Sequence, residues 1–462
     1  MSSSMTNKSL NKNIIKWIAV VVGTILTYIL ANGHEAINAQ QTAFFAITIF
    51  YILITALELL PNMIIAVLLP FTYLIFNLAP SATIFSAWSN NVIWFTVCGI
   101  LAANILTRIG LLKRLVFWGI LKAGCSYKRI IFAFAVASVV LTLISADGSC
   151  FVMAAVAYTF CKTLQLEGTQ TGKGLMLAAT LMLGHGLYLF APSTCLFIVS
   201  LANSVDPTVT MDYVSYFIHN APFILITVIM YCLVPVLFKQ DVDIQEEAVK
   251  KLASETGVMS SDEKKALIIT VAFLILILTV NLHKISLLYL FVLFGTIFYF
   301  PGINIGTAED IKSVNYSLVF FIAGFISIGS VASYIEINTV LSTILVPMLS
   351  GHSDTVIVAG MYVFAFLANI VMTPFAAIAA LTIPVTQIAV DLGVGVYPAL
   401  YAFLGGLCEL ILPYESALYL VFYAYGMFTF KDFMKLFSIR ALLHLIFIVL
   451  IMMPYWGFLG LT

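Results

Sequence analysis

Charge is scarce in this chain. Its 462 residues include 21 Lys and Arg and 21 Asp and Glu, 9% in all, where a soluble domain carries about 25% to keep its surface in water. A soluble multidomain protein is therefore excluded. Net charge is also lacking, with a pI near 7.0, so nothing in the chain selects nucleic acid or another polyanion as a partner. The 7 cysteines form no CxxC pair and sit in apolar runs, which excludes a disulfide or metal framework of the usual spacing. No HExxH, GxSxG or paired-aspartate protease pattern occurs, so an intramembrane enzyme has no motif to rest on, and no enzymatic activity or cofactor is expected.

What the chain has in abundance is apolar sequence: 62% hydrophobic residues and a mean hydropathy of +1.09. Its surface must face lipid, and the fold class expected is an all-α polytopic membrane protein. The polar start Met1 to Asn13 and the apolar run Trp17 to Leu30 resemble a signal peptide. With no small-residue cleavage site and many apolar segments following, an uncleaved first helix is expected. Spans are predicted at 14–31, 41–58, 62–79, 91–108, 174–202, 213–238, 266–282, 285–300, 316–334, 395–427 and 436–460, about eleven transmembrane helices.

Two further apolar stretches, 130–161 and 355–388, are interrupted near their middles. The first breaks at Ser145-Ala146-Asp147-Gly148-Ser149 and the second at Met372-Thr373-Pro374-Phe375. If both are re-entrant hairpins and the N-terminus is cytoplasmic, every basic residue but Lys284 falls inside: Lys8 to Lys16, Arg108 to Arg129, Lys162, Lys173, Lys239 to Lys265, Lys312 and Lys431 to Arg440. A full crossing by either stretch would destroy that agreement with the positive-inside rule. The location expected is the cell inner (plasma) membrane.

The polar stretch 239–265 reads as a solvated cytoplasmic linker between two halves. Residues 1–39 form an N-terminal segment with the first span, 40–238 a first repeat, and 266–462 a second. Each repeat runs through an interrupted hairpin to a long span with its own weak point, Gly184-His185-Gly186…Pro192-Ser193 and Gly405-Gly406…Pro413-Tyr414-Glu415-Ser416. Under the charge-derived topology the hairpins enter from opposite faces, so the repeats are inverted. Backbone broken at membrane depth is tolerated only where it is buried in protein or lines a cavity, and helix ends gathered there suit an ion or an anion.

The order of spans, the GLLKRL segment at 110–115, the two hairpins and the ending PYESALYLVFYAYGMFTFKDFMKL together resemble the divalent anion/sodium symporter family, the INDY-type dicarboxylate and citrate transporters, over nearly all of 40–460. That resemblance implies an elevator-type homodimer carrying small organic anions, di- or tricarboxylates. It also implies Ser-Asn-Thr at both hairpin tips. Here the tips read Asp147-Gly148-Ser149 and Pro374-Phe375-Ala376, and only Ser149 is a conservative match, so the coupling ion is left open between Na+ and H+.

The substrate site is expected at Asp147, Gly148, Ser149 and Cys150 of the first tip, His185, Thr373, Pro374, Phe375 and Ala376 of the second tip, and Glu415 and Ser416 at the last break. Asp147, Ser149, Gly186 and Glu415 are the expected cation ligands. Asp147 is either a coupling group or a helix cap. His185 is either a proton-titrating group or a neutral histidine bonded to freed backbone. Glu409 is expected to pair structurally, and Asn104 and Asn369 to bridge helices. No buried Lys or Arg is expected, which leaves anion binding to backbone amides and keeps open an alternative, a cation/proton antiporter using Asp147 and Glu415.

Overall fold

The computed structural model describes residues 2–57, 59–89, 91–144, 149–254, 257–337, 340, 343, 347, 350–371 and 373–462. Among the described residues the regular structure is helical, as an apolar environment demands of backbone that must satisfy its own hydrogen bonds. The chain is an all-α polytopic membrane protein.

The first half contains α1 (Ser2–Asn32), α2 (Ala39–Ala56), α3 (Asn62–Ile75), α4 (Asn91–Arg108), α5 (Leu111–Ala123), α6 (Tyr127–Ile144), α7 (Ser149–Thr163), α8 (Gln170–Thr180), α9 (Pro192–Ala202), α10 (Tyr213–Asn220) and α11 (Ile224–Leu237). The linker contains α12 (Glu246–Ser254). The second half contains α13 (Ser261–Leu278), α14 (Leu287–Thr296), α15 (Tyr316–Tyr334), α16 (Asp354–Val371), α17 (Pro374–Leu392), α18 (Val396–Cys408), α19 (Ala417–Ala424) and α20 (Phe430–Phe447).

Local chemistry sets many of these boundaries. Asn38 with Gln41, Asp212 with Ser215, Ser260 with Glu263 and Thr429 with Asp432 form reciprocal caps that start α2, α10, α13 and α20. Pro192 and Pro374 open α9 and α17, where a missing N–H costs nothing and the ring presets φ. Gly110, at φ +85°, turns the chain between α4 and α5, which meet at a bend of 63°.

Among the described residues, eight helices are long and apolar enough to cross a membrane, or nine if the bent α4–α5 pair counts as one. This is fewer than the expected eleven spans for definite reasons. Helix α3 ends at Ile75, so its 14 residues cover only about 21 Å. Helix α13 begins within Asp262, Glu263, Lys264 and Lys265, α14 has only 10 residues and the span near 412 is broken, whereas Gln170–Ala202 still counts as one crossing. The outermost helix is α1, whose Ile15, Ile18, Leu26 and Ile29 are exposed in the manner of lipid-facing residues.

The two interrupted stretches are helix pairs: α6 packs on α7, and α16 on α17. Both members of the first pair pack on α8, and both of the second on α18. The halves then exchange partners, because α19 packs on α7 while α9 packs on α17. Helices α2, α3, α4, α14 and α15 form the adjoining layer, with Asn104 of α4 donating to Ser313 Oγ at 2.9 Å.

The stretch 239–265, expected to be a solvated linker, is docked. Asp241 accepts from Gln170 N (2.8 Å), Thr171 N (2.9 Å) and Thr171 Oγ1 (2.8 Å), capping the start of α8 from a distance in sequence. Helix α12 packs on α5 and α7. Arg114 holds the far end, pairing with Glu263 at 2.8 Å and donating to Gly257 O at 2.8 Å.

Candidate functional site

Both broken helices open a few residues beyond the glycines that marked them in sequence. After α8 the chain tightens into a 3-10 turn, Leu181–Leu187, opens at 188–191 and restarts as α9. After α18 it opens at Glu409, makes a short turn at Pro413–Glu415 and restarts as α19. Gly405 and Gly406 are helical, and of the expected weak point 405–416 it is the part from 409 to 416, around Pro413, that opens. The glycines are instead points of close approach. A Cβ on Gly406 would lie 2.3 Å from Tyr362 O of α16, and one on Gly405 would lie 2.6 Å from the His444 ring.

Opening a helix strands its last carbonyls, and here they are met one by one. Asn369 Nδ2 donates to Gly406 O (3.1 Å) and Leu407 O (3.0 Å), and Arg440 Nη2 donates to Cys408 O (2.8 Å). In the first broken helix Tyr216 OH donates to Gly186 O (2.6 Å). That bond takes one of the two lone pairs of the Gly186 carbonyl, a group expected to serve as a cation ligand.

Arg440 overturns the expectation that no Lys or Arg is buried. It is 2% exposed, and with Glu409 and His444, both 0% exposed, it forms a charged cluster. Arg440 Nε donates to Glu409 Oε2 at 2.7 Å, and the other oxygen, Oε1, lies 3.1 Å from His444 Nδ1. The pairing role of Glu409 is thus visible. Arg440 sits ten residues into α20, roughly 15 Å beyond its first turn, rather than with the basic residues at the start of that helix.

His185 is also fully buried. Its Nε2 lies 2.8 Å from Ser138 Oγ and its Nδ1 lies 2.7 Å from Tyr188 OH, while Ser138 Oγ is 3.0 Å from Tyr231 OH. Two hydroxyl partners, each able to donate or accept, match the neutral form of the ring. Among the described residues its polar partners lie on α6 and next to its own break, with Tyr231 of α11 behind Ser138.

Of the expected tip residues, Asp147 and Gly148 lie outside the described residues, as does Met372. Ser149 and Cys150 begin α7 and are buried. Thr373 precedes Pro374 at the start of α17, and Ala376 is buried. Phe375 stacks 6.4 Å from Phe197 of α9 and stands edge-on 6.5 Å from Phe321 of α15, so the second tip touches the first broken helix. At the other break, Glu415 is buried. Its Oε2 accepts from Ile411 N at 3.1 Å, and its Oε1 has no partner among the described residues. Ser416 caps α19 by accepting from Leu418 N at 3.3 Å. An open cleft of about 400 Å³ lies between Ser89, Asn91 and Phe95 and the Leu196–Asn203 end of α9.

Residues 44–406 match the model of a family described as CitMHS, citrate transporter. The chain belongs to this family. No curated protein matches it. Among solved structures the chain is similar to the YdaH transporter of Alcanivorax borkumensis, whose crystal structure is described as revealing an unusual topology. The TM-score is 0.62 over 96% of this chain and 98% of that one, at 14% identity, a likeness of fold.

For this member of the citrate transporter family, one sequence signal would have located Arg440. Phe433, Leu436, Phe437, Arg440, Ala441, His444 and Phe447 are the buried residues of α20. They recur at spacings of three and four, so Arg440 and His444 fall on the same stripe as the phenylalanines.

Proposed function

We propose that this protein is a secondary active transporter of small organic anions, di- or tricarboxylates with citrate foremost, working by elevator-type alternating access. The observation that carries this is the exchange of partners between the halves. Helices α9 and α19 restart after the two described breaks, α7 and α17 are the second members of the helix pairs, and the four pack in crossed pairs, α19 on α7 and α9 on α17. Helix N-termini carry partial positive charge, which suits a polycarboxylate where the Arg440–Glu409 pair is neutral as a unit. Membership of a citrate transporter family supports the substrate class.

In this proposal the two helix pairs are re-entrant hairpins in inverted repeats, as in the divalent anion/sodium symporters. Substrate binds among Ser149, Cys150, Thr373 to Ala376, Glu415 and Ser416, with Asp147 and Gly148 at the first tip. The coupling ion is Na+ or H+, held by Asp147, Ser149 and Glu415. The N-terminus is cytoplasmic, the membrane is the plasma membrane, and the transporter is a homodimer. The open Oε1 of Glu415 favours a second reading, a cation/proton antiporter using Asp147 and Glu415.

Uptake of labelled citrate and succinate into proteoliposomes, under separately imposed sodium, proton and counter-substrate gradients, tests the proposal. Uptake driven by at least one gradient is expected. Absence of uptake under all three refutes it, and sodium-driven proton flux without organic solute selects the antiporter.

A further inference from the structure

Arg440 distributes its donors in a pattern that goes beyond a salt bridge. Nε reaches Glu409 Oε2 (2.7 Å), while Nη2 reaches Cys408 O (2.8 Å) and Tyr419 OH (2.9 Å). Those acceptors belong to three successive pieces of one broken helix: the last residue of α18, the first residue of the gap, and α19. The guanidinium therefore spans the gap. Its other side lies against the first broken helix, where a Cβ on Gly184 would come within 2.8 Å of Nη1.

Nη1 itself has no partner among the described residues. Arg440 lines a cavity of about 10 Å³ together with Gly184, Thr227 and Tyr231, room for about one water. From Tyr231 OH the polar groups continue through Ser138 Oγ to His185 Nε2. Arg440 and Tyr231 both line this cavity, which therefore lies between the Glu409 cluster and the His185 network.

The geometry points to Arg440 as a positioning residue that locks the two breaks into one unit, with one water in the cavity joining the Glu409 cluster to the His185 network. The inference rests on the assignment of the breaks to transport. Burial of an ion pair alone would not carry it, because well-packed apolar replacements of such pairs are often neutral for stability. The fork of donors carries it, since lysine cannot serve Glu409, Cys408 O and Tyr419 OH with the same planar geometry. Each broken helix also leaves out a side chain where α20 presses in, Gly184 against Arg440 and Gly405 against His444.

Two variants of the full chain test this in detergent and in proteoliposomes. Arg440→Lys keeps the charge and loses the fork, and should lower the maximal uptake rate roughly tenfold at an unchanged amount of folded protein. Arg440→Met combined with Glu409→Leu should melt near the wild type and transport at about a tenth of its rate or less. A double variant that transports at the wild-type rate, or an Arg440→Lys protein with unchanged rate and KM, overturns the inference.

Gly184→Ala supplies a readout that needs no substrate. It should lower the melting temperature in the wild type and leave it unchanged in the Arg440→Met, Glu409→Leu background. Equal losses in both backgrounds refute the Gly184–Arg440 lock even where citrate proves to be the wrong solute.

Discussion

Replacing Gly406 by alanine sets two physical effects of opposite sign against each other. In a helix interior alanine is favoured over glycine by about 1 kcal/mol, so on propensity alone Gly406→Ala should stabilise α18. The structure predicts the reverse. The new Cβ would lie 2.3 Å from Tyr362 O, 2.8 Å from Ala365 Cβ and 3.0 Å from Phe366 N, and the closest atom is backbone, which cannot swing aside. Tyr362 is itself tied down, its hydroxyl donating to Ala441 O at 2.7 Å. Relief requires α16 and α18 to separate, which strains the bonds from Asn369 to Gly406 O and Leu407 O. Overpacking of this kind costs about 1–3 kcal/mol, and the net expectation is a loss of up to about 2 kcal/mol once the helical gain is subtracted. Gly360, on α16 with nothing within 4 Å of its would-be Cβ, is the matched control and should gain up to about 1 kcal/mol as alanine. Thermal unfolding of the two purified variants in detergent decides the matter. If Gly406→Ala melts at or above the wild type, the close contact between hairpin and broken helix is not as described.

Asp241→Asn weakens the remote cap of α8 and should cost about 0.5–1 kcal/mol, at the low end for caps because the site is exposed. Desolvation pulls the Asp241 pKa upward, but hydrogen bonds from Gln170 N, Thr171 N and Thr171 Oγ1 outweigh it and hold the carboxyl below its ordinary value. Its contribution is therefore complete above the ordinary aspartate pKa of 3.8 and is lost as pH falls through the lowered folded value. Melting curves of wild type and variant should converge below that window, and a constant gap down to the lowest pH contradicts the assignment. Glu415→Gln removes the carboxylate with the open oxygen while keeping the Ile411 contact. Ion-coupled uptake should fall with little loss of folded protein, and unchanged ion dependence would remove Glu415 from the site.

Much of the architecture was legible because lipid leaves a plain imprint on composition. The predicted span 316–334 coincides with α15, and α17 starts at Pro374, where the missing N–H of proline costs least. What escaped were features that depend on neighbours distant in sequence. Counting charges assigned Arg440 to the cytoplasmic side with Lys431 and Lys435, yet its place on the apolar stripe of α20 puts it in the core. Gly405 and Gly406 read as a weak point because glycine disfavours helix, whereas the space they leave is filled by His444 and by α16. The polarity of 239–265 suggested a free linker. The partners of Asp241 and Arg114 that dock it lie 70 and 149 residues away in sequence.

That docking turns the linker into a leash. One end is tied to the start of α8 through Asp241 and the other to α5 through Arg114. With nine of its residues coiled in α12, the stretch 242–256 reaches roughly 35 Å at full extension. A stroke that carries α8 farther than this from the second anchor must uncoil α12 or release a tie. The length of this one segment therefore sets a ceiling on the travel of the helices it holds, and shortening it residue by residue would reveal that ceiling as an abrupt arrest rather than a gradual decline.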